Sequence, residues 1–139
     1  MTRLSSPAAS PSITWRQLAI LMAFGALFWF IAAMMLRALG PMGALDGSAR
    51  AITFALVIPG TYPFALLIRR AAGLVGDQII VGVGAITLVA SFLDGVALSW
   101  FPAIYGDSPQ QLAASGATIL WGVFAGLVIA FPMAWTDRR

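Results

Sequence analysis

Of the five aspartates in this chain, four lie in loops or at the rims of apolar runs, and Asp94 lies inside one. The run, from Ile79 to Phe101, holds no other charge. A charge at hydrocarbon depth is costly, so it is paired or it handles a proton or an ion. Thr87 and Ser91 recur with Asp94 at helical spacing and form a polar stripe that should face other helices. Arg37 and Arg50 bracket the loop that falls on the same side as the end of this run. Either one is long enough to reach inward while its stem stays in apolar surroundings. The sequence therefore predicts a charge-assisted contact between Asp94 and Arg37 or Arg50. Such a contact either fixes helix register or marks a proton or cation site. For acid–base catalysis the only companions on offer are Tyr62 and Tyr105.

Composition narrows the chemistry further. The chain has no Cys, His, Glu, Lys or Asn; every acid is Asp and every base is Arg. Thiol nucleophiles, disulfides and imidazole shuttles are excluded, and no metal-ligand set or cofactor motif is present. The arginines sit at the ends of apolar runs rather than in a basic stripe interleaved with aromatics, so no nucleic-acid partner is expected. Gly82 and Gly84 lie within an apolar run with no Gly-Lys-Ser/Thr after them, so they are not a phosphate loop.

The elements that must position Asp94 are four apolar stretches. Residues are 60% apolar and only 9% charged. Each stretch approaches the ~20 residues that a helix needs to cross a bilayer, and none has the polar outer face of a soluble helix. The expected architecture is an all-α, four-helix transmembrane bundle with helices over about 16–37, 50–69, 78–101 and 112–135. The transmembrane domain would cover residues 15–139, after a Ser- and Pro-rich disordered cytoplasmic tail over residues 1–14. The first stretch reads as a retained span rather than a signal peptide, because it is long, aromatic and followed by no Ala-x-Ala site.

Arginine placement sets the expected orientation. Arg3, Arg16, Arg69, Arg70, Arg138 and Arg139 share one side, against Arg37 and Arg50 on the other, so both termini should be cytoplasmic. Trp15, Trp100, Trp135 and Tyr105 fall where an interfacial aromatic belt belongs. In the second helix, Pro59-Gly60-Thr61-Tyr62-Pro63 predicts a kink or break, because each Pro removes a donor and crowds the preceding turn. Gly122 and Gly126 form a GxxxG, and Ser91 with Gly95 a small-xxx-small pair, either of which could serve packing within the bundle, a homodimer or a membrane-protein partner.

The segment Leu93-Asp94-Gly95 leading to Phe101-Pro102-Ala103-Ile104-Tyr105, followed by a Trp-containing last helix, resembles a family of small four-helix bacterial membrane proteins known as a domain of unknown function. The resemblance implies four spans in a bacterial inner membrane and draws attention to Asp94, Pro102 and Tyr105. It brings no activity with it. Better-understood four-helix families fit less well: small multidrug transporters need a Glu in their first helix, and vitamin K epoxide reductase-like enzymes need cysteines. The expected function is non-catalytic, exercised through helix packing or as an accessory subunit. A small proton- or cation-coupled transporter using Asp94 is the alternative.

Overall fold

The computed structural model describes residues 12–137, so Arg3, Arg138, Arg139 and most of the expected tail lie outside the described residues. Four α-helices follow one another: α1 (Trp15–Leu39), α2 (Gly47–Ala72), α3 (Gln78–Trp100) and α4 (Pro109–Asp137), with a 3-10 turn at Pro102–Ile104. All four are long and apolar enough to cross a membrane. Even the shortest, α3, extends about 35 Å at 1.5 Å per residue, beyond the ~30 Å hydrocarbon core.

The helix ends have local causes. Thr14 caps α1 through a capping box, in which the Gln17 amide donates to Thr14 Oγ1 at 3.2 Å and the Thr14 amide donates to Gln17 Oε1 at 2.9 Å. Ser12 and Ile13 also join the bundle: Ser12 O accepts from Gln78 Nε2 at 3.3 Å, and Ile13 packs on the core. Gly73 ends α2 in the left-handed conformation (φ 61°), which a glycine adopts without steric cost. Pro102 disfavours helical geometry at Phe101, and α3 stops there. Ser108 accepts from the Gln111 amide at 3.1 Å, and Pro109 occupies the first position of α4.

Sequence order does not set which helices pack together. α3 packs against both α1 and α4, α4 packs against α2, and α1 and α2 touch only sparingly. Side chains give the directions. Gly25 lies against Val89, and Arg37 reaches Ala103 and Asp107, so α1 and α3 run parallel. Phe54 stacks on Trp121 and Arg69 meets Asp137, so α2 and α4 are parallel too.

Two separate clusters form the core. The larger, around Leu21, Ala65, Ile68, Leu74, Ile79, Ile129 and Met133, fills the end where α2 and α4 finish. The smaller, around Ala33, Leu36, Leu45, Ala97, Ala114 and Tyr105, fills the opposite end. The perimeter is apolar: Leu56, Leu88, Phe92, Leu120 and Phe131 are all exposed. Such a surface suits lipid contact and would be a liability in water.

α2 remains helical from end to end, so of the kink or break expected at Pro59-Gly60-Thr61-Tyr62-Pro63 the break is absent. Thr61 Oγ1 donates to Val57 O at 2.7 Å, a bond that bends helices without interrupting them. Pro59, Gly60, Tyr62 and Pro63 are exposed.

Candidate functional site

Asp94 does find a partner, and it is not an arginine. Tyr105 Oη donates to Asp94 Oδ1, and Trp29 Nε1 donates in turn to Tyr105 Oη at 2.9 Å. The three side chains come from α3, the α3–α4 connection and α1. Helix α1 delivers Trp29 because it runs beside α3. Tyr105 arrives because the chain reverses at Phe101-Pro102: the amides of Tyr105 and Gly106 both donate to Pro102 O, which folds the connection back onto the last turns of α3. An indole N–H and a phenol O–H inside an apolar site each need an acceptor, and this chain of bonds satisfies both at once.

Tyr105 is fully buried, which corrects its expected place in an interfacial belt. Burial pushes its phenol above the ordinary value of 10.0, and the bond to Asp94 and that residue's charge push the same way. The phenol therefore stays a donor across the physiological range. Trp15, Trp100 and Trp135 are exposed at the helix ends, as an aromatic belt requires.

The arginines do other work. Arg37 donates through Nη1 to Ala103 O, and its Nη2 lies 3.3 Å from Asp107 Oδ2, so it braces the α3–α4 connection from outside. Arg50 is exposed on the first turn of α2, and its guanidinium makes no hydrogen bond or ion pair among the described residues. The expected contact of Asp94 with either arginine is thus replaced by a contact with two uncharged donors. The physical reason is depth: a guanidinium drawn down to Asp94 would lose its water, whereas at the rim it keeps it.

The polar stripe divides as well. Thr87 and Ser91 border a shallow cleft between α3 and Leu127 of α4, open to the outside, while Asp94 turns toward α1. Ser91 is exposed and Thr87 half-buried. The second polar cleft is lined by Gly40, Asp46, Ser108 and Gln111 at the rim, and neither cleft includes Asp94 or Tyr105. Tyr62 is exposed on α2, apart from the Asp94 cluster. In the GxxxG of α4, Gly126 is buried facing Val83 of α3, while no atom lies within 4 Å of the space beside Gly122. Only Gly122 is therefore open to an outside helix.

Sequence reasoning missed Trp29 and Gln111. The Gln111 side chain lies between the α1–α2 and α3–α4 connections and donates to Tyr105 O at 3.0 Å. It fits because two glycines leave room: a Cβ on Gly40 or Gly106 would overlap it, at 2.1 and 2.2 Å. The signal for Trp29 was its type, an indole in an apolar run with no polar neighbour of its own. The spacings of Gln111 to Gly40 and Gly106 carry no such signal.

The described residues hold no group of three or more acidic, His or Cys side chains placed to bind a metal. Set against known proteins, the chain matches no family model, no curated protein and no solved structure.

Proposed function

We propose that this chain is a non-catalytic integral protein of a bacterial inner membrane that acts through its packed helices, as a scaffold or accessory subunit, with both termini on the cytoplasmic side. The observation that carries the reading is the use of Asp94: its carboxylate is bonded to the buried Tyr105, which is held by Trp29. Those bonds tie α1, α3 and the following connection together. A carboxylate bonded in this way fixes one arrangement of the helices, the role best attested for buried polar groups. The apolar perimeter leaves the surface free for lipid and for other membrane helices.

A small proton- or cation-coupled transporter is the second reading. It is favoured by one feature: Asp94 is only half-buried and is paired with no cation, so its charge is not cancelled within the described residues.

Infrared difference spectroscopy of wild type against Asp94→Asn in liposomes separates the two. The structural reading expects no carboxyl band that titrates between about pH 5 and 8, together with a less stable Asp94→Asn protein. A titrating band with unchanged Asp94→Asn stability would transfer the case to transport.

A further inference from the structure

We propose that the rim formed by the start of α1 and the end of α2 is a binding site for the phosphate of an anionic phospholipid, with Arg16 and Arg70 as its ligands. The inference rests on the membrane reading above and adds a partner to it. Three observations meet at this rim. First, Gln17 Nε2 donates to Ala72 O at 3.0 Å and to Gly73 O at 3.4 Å, so the first turn of α1 is fastened to the last turn of α2. Arg16 and Arg70 thereby sit on adjoining turns.

Second, the charges at this rim are not used up internally. Arg69 is bonded to Asp137, whose other oxygen accepts from the Gly76 amide at 2.7 Å. Arg16 and Arg70 are exposed and form no ion pair among the described residues. The sequence weights this end further: six arginines against two aspartates, where the opposite end has two of each. Third, Trp15 and Trp135 are 82% and 74% exposed at the same level. Exposed indoles are found at headgroup depth, where a lipid phosphate lies within reach of the neighbouring arginines. Guanidinium forks bind phosphate through two parallel hydrogen bonds, and their stems lie comfortably along acyl chains.

The test uses the full chain in nanodiscs of phosphatidylcholine with phosphatidylglycerol titrated in, followed by thermal unfolding and by counting bound lipid in native mass spectra. Incorporation into the discs reports on the membrane reading, and the lipid response reports on the site, so the two can fail separately. Wild type should unfold at a higher temperature as phosphatidylglycerol rises. Arg16→Gln/Arg70→Gln should bind it about thirty-fold more weakly, from ~1 kcal/mol for each arginine near an anionic surface. Arg50→Gln, at the other rim, should respond as wild type does, and inorganic phosphate should not reproduce the shift. If the glutamine pair does not fold, Arg16→Lys/Arg70→Lys decides: it keeps the charge, loses the fork, and should bind measurably more weakly. The proposal is overturned if the variant pair keeps the full lipid response. It is equally overturned if Arg50→Gln loses as much, which would mean a general surface potential, or if free phosphate gives the same shift.

Discussion

At one end of the bundle Asp137, the last residue of α4, meets Arg69 and the amide of Gly76. At the other end Asp94, roughly two turns inside α3, meets a phenol and, behind it, an indole. The carboxylate at the rim takes a charged partner that water can still reach, since Arg69 keeps over a third of its side chain exposed. The carboxylate inside the span takes uncharged donors, which bring no second desolvation penalty with them. The cores differ in the same sense. The Asp137 end is the larger cluster and is filled mainly by Leu, Ile and Met, whereas the Asp94 end buries fewer side chains and has Tyr105 as its largest fully buried one, beside Leu36 and Leu45. Packing holds the first end and the ion pair trims it. At the second, one aromatic residue is both the largest buried side chain and the donor to the carboxylate.

That contrast predicts its own largest breakage. Tyr105→Ala removes a fully buried ring and leaves Asp94 and Trp29 without their partner, so it should cost about 3–5 kcal/mol in reversible unfolding from detergent micelles. Tyr105→Phe keeps the ring and should cost about 1–3 kcal/mol, the penalty of leaving the Asp94 acceptor and the Trp29 donor unpaired. At the other end, Leu21→Ala should cost about 2 kcal/mol, the low side for a buried leucine, because cavity formation remains but transfer from lipid is worth little. A Leu21→Ala loss larger than that of Tyr105→Ala would reverse the assignment of which end depends on a single residue.

The same phenol makes the Asp94 end sensitive to alkali. Because its value in the folded protein lies above 10.0, the unfolded chain releases the proton first as pH rises. The stabilisation is complete below about pH 10 and is lost above it, by about 1.4 kcal/mol per pH unit for one proton. Urea or detergent unfolding followed from pH 8 to 11 should show this slope in wild type and a shallower one in Tyr105→Phe. Equal slopes in the two proteins would remove Tyr105 as the cause.

Much of this organisation was legible in the residues. Four apolar runs of near-bilayer length, three of them uncharged, give four helices, and Asp94 stands out because nothing else in its run carries charge. The partner of Asp94 was not legible, for two reasons. Which helices adjoin depends on packing across the whole bundle, and here α1 lies beside α3 rather than beside α2. The reversal at Phe101-Pro102 also brings a residue from the far side of a turn back onto α3, and periodicity within one helix says nothing about it. The Pro-Gly-Pro segment was legible in part. Two prolines four residues apart read as a kink or a break, and the helix runs through both of them unbroken, with each proline exposed.

The ion pairs rank below these effects and differ from each other by exposure. Asp137→Asn leaves an oxygen for the Gly76 amide but cancels the attraction to Arg69, so the loss should be about 1 kcal/mol and should shrink as salt is raised. An undiminished loss at high salt would mean that the loss does not come from the attraction to Arg69.

The smallest effect is the most decisive about Asp94. Arg37 and Asp107 are 43% and 80% exposed, so Arg37→Gln should cost no more than about 0.5 kcal/mol and should leave the Asp94→Asn cost unchanged. Had Arg37 reached into the span to neutralise Asp94, its removal would strand a buried charge, a loss of about 3–5 kcal/mol that Asp94→Asn would largely rescue. A double-mutant cycle over Arg37 and Asp94 therefore distinguishes the two arrangements by the size of one coupling energy. Near-zero coupling is the outcome expected of a guanidinium that braces a connection at the rim while an uncharged phenol holds the carboxylate below it.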